Sequence, residues 1–447
     1  MSLYERVERA EPCDDCLPAG EVHGHLSDDR LRALRRDAKR AVMERVGFDE
    51  VARMARMGDG ARARRELRPA LEAVLNASSV DLTVVEREQV VEDVLNDVVG
   101  LGPLQPLLED DSVSEIMVNG RDSTFIERGG VLHPLGRLFE SDEQIRILID
   151  RIISPLGRRV DERSPMVNAR LPNGYRVNAV IPPVAIDGPL LTVRKFSDRI
   201  STLEHLVSLG SLPGWYAQLL SFAVRLREDL AVAGGTGSGK TTLLNALSCE
   251  IPQAERIVTI EDSAELKFSS HPHVVRLEAR DASIEGEGAV SIHDLLVNAL
   301  RMRPDRIVVG EVRNREAIDM LEAMNTGHDG SLTTLHAGSA PEAIVRLTLL
   351  ARYGVDLSSE LIEEQIAMAL DGVVMSVRTP AGSRFVSSYT GVERGSNGGV
   401  ELCEYVTFDT AGRVWSLARE PPFIERAMRS GALDREEVEQ WRSSCPA

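Results

Sequence analysis

The stretch Ala231-Val-Ala-Gly-Gly-Thr-Gly-Ser-Gly-Lys-Thr-Thr242 decides how this chain is read. A short apolar run enters a glycine-rich turn, and Lys240 and Thr241 open a helical pattern. The spacing Gly234-x-x-x-x-Gly239-Lys240-Thr241 is that of a phosphate-binding loop. Gly234, Gly235, Gly237 and Gly239, with Thr236 and Ser238 between them, let successive backbone N–H groups point inward around a polyphosphate at the positive end of the following helix. Lys240 would reach the β- and γ-phosphates, the Thr241 hydroxyl would be the first ligand of Mg²⁺, and Thr242 continues the helix start. The flanks Leu230–Ala233 and Thr242–Ser248 read as strand and helix, the context this loop requires.

Downstream, strands and helices alternate: Ile257–Ile260, a helix near Ile292–Arg301, Ile307–Val309, a helix over Arg315–Asn325, and Ser331–Leu335. This alternation predicts a parallel sheet covered by helices, an α/β fold. Two strand ends carry carboxylates, which a nucleotide hydrolase needs because Mg²⁺ and an attacking water both require oxygen ligands near the γ-phosphate. The first is Thr259-Ile-Glu-Asp-Ser-Ala-Glu265, where Glu261, Asp262 and Glu265 offer three carboxylates for one or two roles, Glu261 among them as a Mg²⁺ ligand. The second is Arg301-Met-Arg-Pro-Asp-Arg-Ile-Val-Val-Gly-Glu311, in which Glu311 follows a buried strand and would polarise water. A third element holds His328 and His336 at the two ends of a short strand, flanked by glycines and hydroxyls, a pattern that suits sensing of phosphate or of the Glu311 region.

The rest of the chain supplies the setting. Its 447 residues, 43% hydrophobic and 27% charged, are enough for two or three globular domains. No apolar run approaches the ~18 residues that span a bilayer, and the start MSLYERVERAEPCDD has no apolar signal core, so a soluble, unexported protein is expected. Seventy acidic against 52 basic residues give a formal charge of −18, which disfavours nucleic acid as a partner. The five cysteines are odd in number and scattered, as in a reducing compartment; Cys13 and Cys16 form a C-x-x-C without a second pair, an exposed pair or a zinc or redox site.

Residues 1–26 lack periodicity and read as a disordered arm, and residues 27–100 as a helical module. In that module Ser27 caps the first helix, Pro69 kinks or delays the second near Arg62–Asn76, and Thr83 with Glu86 forms a capping box for the third, which stops at Gly100. Residues 101–196 change to short strands and turns around one helix at Glu143–Ile153, with a hairpin turn at Pro172-Asn173-Gly174. Arginines in this α+β module, Arg176 and Arg194 among them, are of the type that neutralises phosphate charge. Residues 197–201 read as a hinge, 202–378 as the nucleotide domain, and 379–447 as an extension without a recognisable role, with Gly395–Gly399 as a loop and a last helix near Asp434–Trp441.

The ordered set GGTGSGKT, TIEDSAEL, RPDRIVVGEVR and TGHDGSLTTLHAGS resembles the type II/type IV secretion and pilus ATPase superfamily. Within it, LGPLQPLLEDDSVSEIMVNG, VDERSPMVNARLPNGYRVNAVIPP and LTVRKF look like the CpaF/TadA branch that powers tight-adherence pili; the likeness covers roughly residues 90–375. The tetracysteine zinc insert of the general-secretion and pilus-extension branches has no counterpart here. The resemblance implies a homo-hexameric ring of RecA-like P-loop domains, each preceded by a PAS-like domain. It also implies Mg²⁺-ATP hydrolysis coupled to pilus assembly or protein secretion through an inner-membrane platform protein. The chain would then be cytoplasmic and reach the membrane only through partners. Carried onto this sequence, Lys240 and Thr241 bind phosphate and magnesium, and Glu311 is the catalytic carboxylate. Glu261 and Asp262 form the acidic box, His328 and His336 the histidine box, and Arg176 and Arg194 face the phosphates. A nucleic-acid-translocating RecA-like motor and a non-hydrolysing P-loop subunit are the alternatives; the acidic balance argues against the first, and intact Lys240 and Glu311 against the second.

Overall fold

Ile257–Glu261, Arg306–Val309 and Leu332–His336 are buried almost throughout, as the strands of a sheet covered on both faces must be. They belong to the second of two compact units, Met1–Ser197 and Asp198–Ala447, in a computed structural model. It describes residues 28–47, 50, 60–78, 80–171, 173–195, 202–268, 271–280, 282, 287–379, 382–396 and 398–446. The expected arm over 1–26, the Ser27 cap, Cys13 and Cys16, Pro172 and the hinge at 197–201 lie outside the described residues.

The first unit begins with helices α1 (Asp28–Val46), α2 (Gly60–Ala77) and α3 (Val84–Val99). Their apolar faces meet through Leu34, Ala38, Leu67, Leu71, Val91 and Leu95. Helix α2 runs through Pro69 without ending there, so the proline does not delay its start as the sequence suggested. Thr83 and Glu86 form the reciprocal capping box, and Gly100 closes α3. After a short helix α4 (Gln105–Glu109) come strands β1 (Val113–Asn119), β2 (Ser123–Arg128) and β3 (Val131–Gly136), helix α5 (Asp142–Ile153), and strands β4 (Met166–Arg170), β5 (Arg176–Val180) and β6 (Leu190–Arg194). The six strands form an antiparallel sheet in the order β3-β2-β1-β6-β5-β4. Ile145, Ile149 and Ile152 of α5 pack on it against Ile116, Val177 and Leu191.

The second unit contains α6 (Leu203–Ser208), α7 (Gly214–Arg225), β7 (Leu230–Gly234), α8 (Lys240–Ser248), β8 (Ile257–Glu261), β9 (Val274–Glu278), α9 (Ile292–Ala299), β10 (Arg306–Val309) and α10 (Glu316–Asn325). It continues with β11 (Leu332–His336), α11 (Ala340–Arg352), α12 (Ser359–Ala369), β12 (Gly372–Arg378), β13 (Arg384–Arg394), β14 (Val400–Asp409), β15 (Val414–Leu417), α13 (Pro422–Ser430) and α14 (Arg435–Ser444). One nine-stranded sheet runs β15-β14-β13-β12-β7-β11-β10-β8-β9. From β12 to β9 the strands are parallel, and β13, β14 and β15 add on antiparallel. Residues alternate along each strand, so Leu230 and Val232 face one core with α7, α8 and α14, whereas Ala231 and Ala233 face another with α9 to α12.

The break expected at residue 379 is not a structural one. Strand β13 pairs with β12 from Arg384↔Arg378 to Gly391↔Gly372, and Gly395–Gly399 is the turn of the next hairpin, closed by the Gly395 amide donating to Gly399 O at 2.8 Å. Trp441 is fully buried beside Phe222, and its indole N–H donates to Trp215 O at 2.9 Å. The signal for this lay in apolar residues of the tail that a local reading had no partner for.

At the amino-terminal edge of the parallel strands, the buried carboxyl groups of Glu228 and Asp229 lie beside the half-buried Asp371. The Asp229 carboxyl accepts the Ser331 amide at 2.7 Å, Asp371 accepts the Asp229 amide at 2.8 Å, and Glu228 accepts from Arg426 at 3.1 Å. Burial, then the neighbouring Asp371, pushes Asp229 up to about 9; burial and Asp371 push Glu228 up to about 8 despite Arg426. Asp329 adds to the rise at Asp229, and Arg306 opposes it. A folded-state pKa raised above the unfolded value means that the native chain holds a proton the unfolded chain has already lost. Stability therefore falls as pH rises from about 4 towards 9. Asp229→Asn keeps an oxygen for the Ser331 amide and removes the titration. Its melting temperature should exceed that of the parent by a margin that widens between pH 5 and pH 9, each kcal/mol being worth about 2–4 °C. Thermal melts at three pH values check this, and a margin independent of pH would contradict it.

Candidate functional site

Strand β7 sits where the sheet order reverses: β11, β10 and β8 lie on one side and β12 on the other. Ligands of open parallel sheets bind outside the carboxyl ends of the strands at such a switch point, and there the glycine-rich loop leaves β7. Gly239 caps α8 at φ 98°, a left-handed conformation that a β-carbon would strain, and no side-chain hydrogen bond caps the start of that helix among the described residues. At Gly234 a β-carbon would fall 2.2 Å from Ser376 O and 2.5 Å from Ser238 Oγ, so only glycine lets the loop lie against β12. Ser376 Oγ donates to Ser238 O at 2.7 Å, and Arg384 Nε donates to Gly237 O at 2.9 Å, fixing the loop from outside.

Register brings the other groups to this end. His336 pairs with Gly234 across β11 and β7, and Val309, one residue before Gly310, pairs with Thr333. The Gly310 amide donates to Ile260 O at 2.8 Å, Thr334 Oγ1 donates to Gly310 O at 2.7 Å, and the Val312 amide donates to Thr334 O at 2.9 Å. Glu311 is thereby held between two fixed neighbours.

The side chains then form one chain of contacts. Lys240 Nζ, buried, donates to Gly235 O at 3.1 Å and lies 3.3 Å from His336 Nδ1. His336 Nε2 is 2.9 Å from Glu311 Oε1, an ion-pair distance at which that oxygen has no aligned hydrogen bond. Arg313 Nη2 donates to Glu311 Oε2 at 2.6 Å, and Arg313 Nη1 donates to Asp262 Oδ2 at 3.1 Å. Burial and the Lys240 ammonium hold the His336 pKa below its ordinary value. The ring is thus neutral at pH 7, and its partners assign the tautomer: Nδ1 accepts from Lys240, and Nε2–H faces Glu311. The Arg313 guanidinium is stabilised as a cation, first by its hydrogen bond to Glu311 and then by the charges of Glu311 and Asp262.

The expected site residues fare differently. The structure brings the loop from Gly234 to Thr242 together with Glu311, Asp262 and His336. Glu261 lies at the end of β8, but Oε1 accepts the amides of Glu265 at 2.8 Å and Leu266 at 3.1 Å. That oxygen shapes the turn after the strand, whereas Oε2 is buried without a hydrogen-bond partner among the described residues. Burial raises Glu261 to about 7 against these amide bonds. His328 does not join the cluster. It precedes β11, at the opposite end of the sheet from His336, with Nδ1 3.3 Å from Ala323 O. The sequence placed the two histidines at the two ends of a short strand, and the five residues of that strand keep them apart. Arg176 and Arg194 belong to the first unit, directly opposite one another on β5 and β6, with Glu115 across from Arg194 on β1. Arg313 was missed as a site residue although it ends the quoted box RIVVGEVR; Ser376 and Arg384 gave no local signal.

Residues 97–413 match the family described as Type II/IV secretion system protein, well over half of the chain. The chain belongs to that family. Among similar proteins, one from Mycobacterium tuberculosis (strain ATCC 25618 / H37Rv) with a conjugal-transfer name is 39% identical over 291 residues, 64% of this chain and 82% of that one. The type IV secretion system protein VirB11 of Brucella suis is 34% identical over 301 residues, 61% of this chain and 83% of that one. The crystal structure of the Brucella suis VirB11 ATPase, 32% identical, aligns with 64% of this chain and 91% of its own at a TM-score of 0.36. No described helix of this family member is long and apolar enough to cross a membrane.

The site fits a nucleoside triphosphate with Mg²⁺. Ser238 Oγ, in the loop two residues before Lys240 and the start of α8, is buried without a hydrogen-bond partner among the described residues. Among the described residues no group of three or more His, Cys, Asp and Glu could hold a metal alone. Mg²⁺ keeps waters and takes one or two protein oxygens together with phosphate.

Proposed function

We propose that this chain is a Mg²⁺-dependent ATPase of the CpaF/TadA branch, working as a homo-hexameric ring that drives pilus assembly or protein secretion from the cytoplasmic face of the membrane. The observation that carries the ATPase reading is the contact chain Lys240–His336–Glu311–Arg313–Asp262 at the mouth of the phosphate loop. Strand order around β7 supports a RecA-like domain, and the antiparallel sheet with α5 supports a PAS-like one before it.

In this reading Lys240 leaves Gly235 O to hold terminal phosphate oxygens, and Ser238, with the amides of α8, holds the rest. The Thr241 hydroxyl would hold the metal, with the free Glu261 Oε2 as the candidate second ligand. Bound Mg²⁺ supplies positive charge against the phosphate oxygens. Glu311 Oε1, lacking an aligned donor, is the oxygen that orients the attacking water and takes its proton, while Arg313 holds Oε2 and keeps the carboxylate in place. His336 relays between Lys240 and Glu311, so the same side chain meets the groups that bind phosphate and the group that activates water.

Arg176 and Arg194 remain proposed phosphate contacts of the first unit, and an inner-membrane platform protein the proposed partner. The conjugal-transfer and type IV secretion names of the relatives are compatible with several cargoes. Phosphate release measured alongside sedimentation tests the ring. Specific activity should rise with protein concentration as hexamer forms, and ATP should promote assembly by mass action. Constant specific activity from a monodisperse monomer would rule the ring out. In the same assay Arg194→Ala should lower turnover more than ATP affinity; unchanged turnover in the assembled variant would remove that arginine from the mechanism.

A further inference from the structure

The contact chain from Lys240 to Asp262 lies on the β11 and β10 side of the phosphate loop. On the other side, towards β12 and β13, there is a cavity of about 590 Å³ that these groups do not use. Its inner wall is the loop and first helical turn, at Ser238, Gly239 and Thr242. Its outer walls come from α6 at Leu206 and from the carboxyl-terminal hairpins at Phe385, Arg413 and Trp415. The size is that of a small-molecule site, and the lining is about as polar as it is apolar, with Ser211, Ser383, Arg384 and Arg413 beside the apolar side chains.

The outer wall is aromatic. Trp415 packs on Phe408 at 4.5 Å between centroids and on Phe385 at 6.0 Å, and its N–H donates to Val386 O at 2.7 Å, which fixes the indole. The Arg413 guanidinium stands 5.4 Å from the centroid of Phe385, where a planar cation meets an aromatic face. Arg384 spans from this wall to the loop through its bond to Gly237 O. An aromatic floor beside a phosphate loop, with a guanidinium over it, offers what a nucleobase takes: stacking surface and a cation over the ring system.

We propose that this cavity is the nucleoside half of the nucleotide site, and that the tail hairpins β13–β14–β15 recognise the base. The proposal rests on the phosphate reading of the loop given above. The nucleotide then spans the loop, with its terminal phosphate on the β11 side by Glu311 and its ribose and base on the β13 side by Trp415 and Arg413. Thr242, exposed on α8 and lining the cavity, stands where the two halves join. The residues after 379, which the sequence left without a role, become part of substrate binding.

Binding of ATP and of inorganic tripolyphosphate to the full chain separates the two halves. Arg413 is exposed, so Arg413→Ala should keep the fold; it should weaken ATP about 5-fold and leave tripolyphosphate within about 2-fold, because only ATP carries a base. ATP should also quench tryptophan emission in the parent chain, and the quench should vanish in Trp415→Phe, which retains an aromatic wall, whereas tripolyphosphate should produce none. Equal effects of Arg413→Ala on both ligands, no effect on either, or an ATP quench that survives Trp415→Phe would overturn the proposal. Lys240→Ala distinguishes the failures. If it abolishes binding of both ligands while Arg413→Ala changes nothing, the cavity assignment alone is wrong. If tripolyphosphate binds equally well without Lys240, the phosphate reading is wrong and the cavity assignment falls with it.

Discussion

Glu311→Gln should bind ATP as tightly as the parent chain and hydrolyse it about 10²–10³-fold more slowly, whereas Lys240→Ala should lose ATP affinity itself. The difference follows from what each side chain touches. Lys240 carries a buried cation within the loop itself, and replacing it removes that charge from the phosphates. Glu311 is held by Arg313 and flanked by His336. The glutamine keeps the shape and can still bond Arg313, but it cannot accept a proton from water. Equilibrium binding measured beside single-turnover phosphate release separates the two, and a common loss of affinity would remove Glu311 from the role of base. Arg313→Ala, which frees the Glu311 carboxylate to move, should fall between the parent chain and Glu311→Gln in turnover with affinity unchanged.

The second large effect concerns the tail. Ending the chain after Arg378 should leave a protein that neither folds cooperatively nor binds nucleotide. The cut removes Val386, Tyr389, Tyr405, Val406, Phe423, Ile424 and Trp441, all buried in the same core as Leu230, Val232 and Leu243 of the phosphate-loop strand and helix. Each large apolar side chain contributes about 1.5–3 kcal/mol when buried, so seven contribute about 10 kcal/mol or more. That matches the whole stability of a typical domain, about 5–15 kcal/mol. The cut also strips β12 of its neighbour and leaves an open edge next to the loop. Soluble yield and a thermal melt report the outcome; a truncated chain melting cooperatively within a few degrees of the parent would refute it. Trp441→Ala is the milder form, expected to cost about 3–5 kcal/mol.

These expectations also mark how far the sequence could be read. The phosphate loop was legible because its chemistry is local: glycines, lysine and threonine act within nine residues, and the strand and helix beside them carry their own periodicity. The position of Glu311 was legible for the same reason, as the first carboxylate after the apolar run Ile307–Val309. Helix α3 announced both of its ends through Thr83, Glu86 and Gly100. Arg306 shows the limit. Read locally it is one charged residue among several in Arg301-Met-Arg-Pro-Asp-Arg306, yet it is fully buried. It is bound to Glu255 and to the carbonyl oxygens of Gly330 at 2.9 Å and Val224 at 2.9 Å. No spacing predicts partners 24 and 82 residues away.

By itself, then, the sequence determined the type of fold, the phosphate loop and the carboxylates that follow it, since each is written in residues close together along the chain. Only the tertiary structure decided which of those groups meet. It put His336 against Lys240 and Glu311, because parallel strands align residues by register and not by distance along the chain. It turned Glu261 Oε1 onto backbone amides and brought Arg313 between Glu311 and Asp262. It also joined the tail to the nucleotide sheet, because antiparallel pairing and burial of aromatic side chains act between segments whose own sequences carry no mark of one another.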